Sequence, residues 1–135
     1  RKSVLITAAL FSTTLAFAHG EDKPGPHGGE IRMPGAFHTE LVKKQNGVFQ
    51  IYLLDIEWKN PVTEKSKVSV LLKEGGQEKN VPCQPKGSFF ECTVPKAVKA
   101  SQGSELLVSA ERQGAQGGQV SYSPFKGAGA QSSHK

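Results

Sequence analysis

The chain has 135 residues, a net charge of +5 and 36% hydrophobic residues, which is enough for one domain with a core. Its 17 basic residues are scattered along the chain and are not clustered with aromatic residues, so the pattern does not indicate a nucleic-acid partner. The positive charge instead favours solubility.

Residues 1–18 have the pattern of a signal peptide. Arg1 and Lys2 precede an apolar run over residues 4–15, and Ala16-Phe17-Ala18 provides a small-x-small cleavage pattern. The apolar run is short for a membrane span, and a retained anchor is the alternative interpretation. We therefore expect cleavage after Ala18, a periplasmic location and no membrane span in the mature chain.

Residues 19–36 are rich in glycine and proline, with five glycines and three prolines. Proline lacks the amide N–H that helices and interior strands require, and glycine weakens both structures. The composition predicts a flexible N-terminal arm that contains neither a helix nor an interior strand.

From residue 37 onward the pattern is typical of β-structure. Residues 37–42 alternate loosely, Asn46-Gly47 is a strong hairpin signal, and residues 48–58 form a β-branched and aromatic run. That run is apolar on both faces, which predicts a central strand. Further strands are predicted at residues 67–73, 81–83, 89–94, 105–110 and 120–125.

This pattern predicts an all-β domain over residues 37–126, either a sandwich or a small barrel. We favour a small antiparallel β-sandwich, immunoglobulin-like, with six to seven strands and the flexible arm in front. Residues 127–135 are dominated by glycine, alanine, serine and glutamine, and this composition predicts a disordered tail.

Two cysteines, Cys83 and Cys92, are the only ones in the chain. An isolated pair in an exported protein indicates a disulfide, and residues 85–88 supply the proline and glycine of a hairpin turn between them. A thiolate metal pair is the alternative, although the spacing is wider than the usual Cys-x-x-Cys.

The stretch from residue 27 to residue 42 concentrates metal-binding side chains. His27 and His38 bracket a Gly/Pro-rich loop that can fold back and bring the two imidazoles together. His38 and Glu40 are two positions apart on a predicted strand and therefore share a face. Glu40 is then either a metal ligand or the hydrogen-bond partner of one. The alternative is that His38 is an ordinary strand histidine.

Two further residues extend this hypothetical metal site. Cleavage after Ala18 would make His19 the first residue, and its α-amine and ring nitrogen would together chelate copper. Met33, the only methionine, would add a thioether suited to Cu(I). Fraying of His19 and loop packing of Met33 are the alternatives. Trp58 is expected to pack in the core or at a sheet edge.

Three segments of the chain carry a resemblance to known proteins. Pro-His-Gly-Gly at 26–29, Phe-His-Thr-Glu-Leu-Val at 37–42 and Ile-Tyr-Leu-Leu-Asp at 51–55 resemble segments of small bacterial periplasmic proteins associated with heavy-metal efflux. Similar segments occur in the adaptor proteins of resistance-nodulation-division metal exporters. The resemblance covers about residues 26–75.

The resemblance implies a β-sandwich that binds copper, silver, zinc or a related ion. His27, His38 and Glu40 match the two histidines and the acid of the motif. The chain departs from the small copper and silver chaperones that use one histidine, two methionines and a tryptophan, because it has a single methionine.

The sequence therefore predicts a periplasmic protein that binds a metal ion, copper first and zinc or silver as alternatives. It would buffer the metal or transfer it to an efflux or assembly partner, for which a periplasmic efflux adaptor is the candidate. No catalytic motif is found, so an enzyme is not expected. The alternatives are an interaction domain with incidental histidines and a small copper redox enzyme.

Overall fold

The computed structural model describes residues 23–126, and this part of the chain folds into ten β-strands without a helix. The strands are β1 Glu30–Arg32, β2 His38–Lys43, β3 Val48–Leu54, β4 Lys67–Glu74, β5 Gln77–Val81, β6 Cys83–Lys86, β7 Phe89–Thr93, β8 Glu105–Arg112, β9 Ala115–Gln116 and β10 Val120–Tyr122. The predicted signal peptide, His19 and the predicted disordered tail lie outside the described residues. Within residues 23–126 there is no helix long and apolar enough to cross a membrane.

The strands form two antiparallel sheets of five strands each. The first sheet has the order β1-β2-β3-β7-β6, and the second has the order β10-β8-β4-β5 with β9 paired to β8. The prediction of an all-β fold and a small antiparallel sandwich is confirmed. An immunoglobulin-like topology stays a prediction.

The number of strands is higher than the predicted six to seven, because short strands escaped the sequence pattern. The predicted strand at 81–83 is in fact the junction of two strands, β5 and β6, which belong to different sheets. Pro82 lies between them, and since proline has no amide N–H to donate to a ladder, the chain changes sheets there. The two-residue β9 was not predicted either.

Part of the predicted flexible arm is built into the first sheet. Residues Glu30–Arg32 pair with β2, and Ile31 is fully buried. β1 has a neighbour on one side only, so it is an edge strand and needs no ladder on its other side. The glycine and proline content of residues 19–36 concealed this short apolar-centred strand.

The main core lies between the two sheets, and one face of the central strand β3 contributes to it. Phe49, Ile51 and Leu53 on β3 pack in one cluster with Val70 and Leu72 of β4. We name this side the inner face of the first sheet. Both faces of β3 are buried, as expected for a central strand, because Tyr52 and Leu54 belong to a second cluster with Ile31.

The second cluster covers the opposite side, which we name the outer face of the first sheet. Its buried members are joined by partly buried Val42, Trp58 and Phe89. No strand of the second sheet contributes to this cluster, so another part of the described chain has to cover it.

The disulfide prediction is confirmed at the other end of the first sheet. Cys83 and Cys92 are bonded and lie directly opposite each other on β6 and β7. The turn between these strands comprises Gly87 and Ser88, and Gly87 has a φ of 74° that glycine adopts without strain. Cys92 is buried in the main core, so the bond joins an edge strand to that core.

Candidate functional site

Two of the predicted metal ligands lie side by side on the outer face of the first sheet. On β2, His38 is opposite Leu54 and Glu40 is opposite Tyr52 of β3. Paired residues point to the same side of a sheet, so His38 and Glu40 both face the second cluster. Both are buried, with exposed fractions of 5% and 0%. The prediction that they share a face is confirmed.

The Glu40 carboxylate is fully buried and receives three hydrogen bonds from two residues of the N-terminal segment. The backbone amides of His27 and Gly29 donate to Oε2 over 2.7 and 2.9 Å. The His27 ring nitrogen Nδ1 lies 2.7 Å from Oε1. Burial of a carboxylate without such partners would cost roughly several kcal/mol of folding free energy. These hydrogen bonds therefore permit Glu40 to be buried.

We name residues 23–29 the strap, because they lie across the outer face. Gly25 and Gly29 close a turn in which the Gly25 amide donates to the Gly29 carbonyl over 2.8 Å. A side chain at Gly25 would place its Cβ 2.6 Å from Glu40 Cδ. At Gly29 it would overlap the Leu41 carbonyl oxygen. These two glycines therefore let the strap approach β2 closely enough to bond Glu40.

The His27 ring is held from two directions. It stacks on the Tyr52 ring with a centroid distance of 3.7 Å and an interplanar angle of 6°, and its side chain is 34% exposed. A carboxylate accepts hydrogen bonds, so Nδ1 carries the hydrogen that is donated to Glu40. Nε2 is then the nitrogen whose lone pair can bind a metal ion.

Burial, followed by the negative charge of Glu40, raises the pKa of Tyr52 above its ordinary value of 10.0. The Tyr52 hydroxyl stays protonated at neutral pH and donates to Gln50 Oε1 over 3.3 Å. Tyr52 therefore presents a neutral aromatic surface to the His27 imidazole.

His38 is hydrogen-bonded through the same ring nitrogen as His27, but to a different partner. Its Nδ1 lies 3.1 Å from the carbonyl oxygen of Asp55, which can only accept a hydrogen bond. Nδ1 therefore carries the hydrogen, and Nε2 again has the lone pair. The His38 and Trp58 rings form an edge-to-face pair, with a centroid distance of 5.8 Å and an interplanar angle of 74°.

The turn that follows β3 positions Trp58. Asp55 Oδ1 accepts hydrogen bonds from the amides of Glu57 and Lys59 over 2.9 and 2.8 Å, and Oδ2 accepts one from the Asn60 side chain. The bond from Lys59, and next that from Asn60, lower the pKa of Asp55 below 3.8. Trp58 has a φ of 66°, which is unusual for a bulky residue and needs this support.

This turn corrects the predicted extent of the second strand, which ends at Leu54 and not at residue 58. Trp58 is partly buried beside the second cluster, in agreement with the expected packing role. The turn signal that the predicted strand boundary left out is Asp55, because an aspartate side chain can accept hydrogen bonds from the backbone amides that follow it.

Met33 is the residue directly after β1 and is 54% exposed. Arg32 is opposite Thr39, so extending the register by one residue places Met33 opposite His38. The structure therefore brings the Met33 backbone to the His38 end of β2.

The five predicted ligands are thus partly assembled. His27 and Glu40 are in direct contact, His38 is on the same face, Met33 follows β1, and His19 is outside the described range. Within residues 23–126 no group of three or more His, Cys, Asp or Glu side chains is placed to hold a metal ion.

Comparison with known proteins gives no relative. No family model, no curated protein and no solved structure matches this chain. The resemblance of residues 26–75 to periplasmic heavy-metal proteins therefore stays a prediction, as do the metal, the efflux partner and the periplasmic location.

Proposed function

We propose that this protein binds a soft or borderline metal ion, copper first, through Nε2 of His27 and Nε2 of His38. The observation that carries the proposal is that the two imidazoles are hydrogen-bonded in the same way. Each ring gives its Nδ1 hydrogen to an oxygen acceptor, the Glu40 carboxylate in one case and the Asp55 carbonyl in the other.

This arrangement is the one that metal-binding histidines usually have. The hydrogen bond from one ring nitrogen fixes the tautomer and orientation, and the acceptor makes the other nitrogen a better ligand. In this proposal Glu40 is the partner of His27 and not a ligand itself, because its two oxygens are engaged by the strap.

The ligand types favour copper. Imidazole suits copper and zinc, while the thioether of Met33 would add affinity for Cu(I) or Ag(I). His19 is eight positions before His27, and a chain of that length spans up to about 26 Å. An N-terminal His19 could therefore reach the same face and complete the coordination.

The proposed role is to buffer the metal in the periplasm or to hand it to an efflux or assembly partner. One ligand, His27, is on a short segment held to the sheet by a few hydrogen bonds, so it can leave the ion before the other ligand does. The disulfide is compatible with an oxidising compartment.

The test is a titration of residues 19–135 with Cu(II), Cu(I), Zn(II) and Ag(I). We expect His27→Ala and His38→Ala each to weaken the binding of one ion by about 100-fold or more, while His134→Ala leaves it unchanged. Affinity that survives both substitutions would contradict the proposal and would favour an interaction domain with incidental histidines. Copper-dependent oxidation of a substrate would instead indicate a redox enzyme.

A further inference from the structure

The strap is fastened to the fold mainly through Glu40. Its three hydrogen bonds to that carboxylate come from His27 and Gly29. Further close contacts are the stack of His27 on Tyr52, the approach of Gly25 to Ile31 and the approach of Gly29 to the Leu41 carbonyl. All of these contacts lie within one small area of the outer face.

Beneath this area are groups that water would otherwise reach. Glu40 and Ile31 are 0% exposed and Tyr52 is 8% exposed, although they lie on the side of the first sheet that the second sheet does not cover. Lifting of the strap would hydrate the carboxylate and expose the Tyr52 ring. Hydration of the carboxylate favours strap opening and exposure of the aromatic ring disfavours it, so these two contributions to the free energy of opening oppose each other.

We propose that the strap is a lid whose closure is coupled to metal occupancy of His27. This inference rests on the proposed function, because it uses the same imidazole. Nδ1 of His27 holds the strap to Glu40, and Nε2 of the same ring holds the ion. An open strap removes Nε2 from the site, and a closed strap presents it in the correct tautomer.

The coupling follows from the chemistry of the ring. A cation on Nε2 draws electron density from the imidazole, which strengthens the hydrogen bond from Nδ1 to the carboxylate. Thermodynamic linkage then requires reciprocity: whatever factor strap closure adds to metal affinity, the metal adds to strap closure. The empty protein opens its strap more often than the loaded one, and opening releases the ion.

Hydrogen exchange of the His27 and Gly29 amides measures strap opening directly, since both amides donate to Glu40. The probes are Cu(II), Cu(I) and Zn(II) alone, each buffered at about 100 times its dissociation constant. If the ion binds only the closed state, exchange of these two amides slows by about 100-fold. The amides of Val98 and Ser104, which are hydrogen-bonded in turns between β7 and β8, serve as references for local opening that does not change. Core amides that exchange only by global unfolding also slow, because the ion stabilises the whole fold.

Two variants and a control separate the contributions. Glu40→Gln should speed up exchange of the two strap amides without metal and weaken metal binding by about 10- to 100-fold. Glu30→Gln makes the same chemical change at an exposed carboxylate that pairs with Arg32, and should alter neither quantity. His27→Phe keeps an aromatic ring over Tyr52 but has no nitrogen, so its strap amides should show no response to metal.

Each outcome decides something. Tight metal binding with unchanged exchange of the strap amides would overturn the coupling and leave the proposed function intact. Absence of metal binding would overturn the proposed function and the coupling with it. A response to metal that persists in His27→Phe would show that the ion does not act through His27. This variant decides even if Glu40→Gln does not fold, because it changes a partly exposed side chain.

Discussion

The two faces of the first sheet are both buried, yet they are covered in different ways. On the inner face, Phe49, Ile51 and Leu53 pack against a whole second sheet. On the outer face, Tyr52 and neighbouring buried residues are covered by the strap and the turn after β3, and a buried carboxylate lies among them. The same strand therefore contributes to a mainly apolar interface on one side, where the Tyr122 hydroxyl bonded to Thr39 is a buried polar contact, and to a polar, hydrogen-bonded interface on the other.

The difference indicates that the two faces have different roles. Truncation of a side chain in a sheet-on-sheet core lowers the free energy of unfolding strongly, because the two layers cannot collapse into the space left behind. A strap fastened by hydrogen bonds can detach without disturbing that core. Changes on the inner face should therefore affect global stability, and changes on the outer face should affect the strap and ligand binding.

The largest effect is expected from Phe49→Ala on the inner face. Phe49 is 1% exposed in the main core, and its truncation leaves a cavity that lowers the free energy of unfolding by about 3–5 kcal/mol. Urea unfolding measures this change. Lys79→Ala on the exposed strand β5 is the control, expected to stay within about 0.5 kcal/mol. A cost for Phe49→Ala below about 1 kcal/mol would contradict the assignment of the inner face as the main core.

A smaller but more local effect is expected from Gly29→Ala. The added Cβ would overlap the Leu41 carbonyl oxygen, so the strap has to move away from Glu40 at a cost of about 1–3 kcal/mol. We expect faster hydrogen exchange at the His27 amide and weaker metal binding. Gly103→Ala is a matched control, because a Cβ there meets no atom within 4 Å. Equal behaviour of the two variants would remove the argument for close strap contact.

The stack of His27 on Tyr52 should contribute about 0.5–1.5 kcal/mol to strap closure. A double-mutant cycle with His27→Ala and Tyr52→Leu, read out as strap hydrogen exchange, measures this coupling free energy. Phe49 with His27 provides the control cycle, since Phe49 lies on the inner face and no coupling is expected. A coupling energy near zero for His27 and Tyr52 would contradict a contribution of the stack to strap closure.

The smallest effect concerns pH and the turn that positions Trp58. Hydrogen bonds hold the pKa of Asp55 below 3.8, so its contribution to stability is present above pH 3.8 and is lost as the pH falls through the lower folded value. We expect Asp55→Asn to reduce the loss of stability below about pH 4, measured by urea unfolding. Glu78→Gln on exposed β5 is the control. Identical acid profiles for Asp55→Asn and the wild type would contradict this role.

The hairpin and disulfide predictions succeeded because their signals are local. Asn46 and Gly47 have φ values of 58° and 77°, which these residue types tolerate, and they join β2 to β3. Cys83 and Cys92 face each other because a short hairpin separates them. Where local signals conflicted, as in the Gly/Pro-rich segment that contains β1, the prediction missed a strand.

The candidate site was only partly predictable. The alternation of β2 places His38 and Glu40 on one face, and this follows from the sequence alone. Nothing in the sequence indicated that Glu40 would be occupied by the amides of the strap, nor that His38 would bond the Asp55 carbonyl. Sequence spacing predicts that His27 and His38 converge on one ion, and the oxygen acceptor that orients each imidazole is visible only in the structure.

The sequence by itself determined where the longer strands β2, β3, β4, β7 and β8 begin, the shared face of His38 and Glu40 and the cysteine pairing, because periodicity and turn chemistry act over a few residues. Only the tertiary structure decided which groups meet across the outer face. His27 and Glu40 are 13 positions apart, and the path of the chain between them determines whether they touch. That path depends on the two close glycine approaches and on burial of Ile31 and Tyr52, which no local pattern reveals.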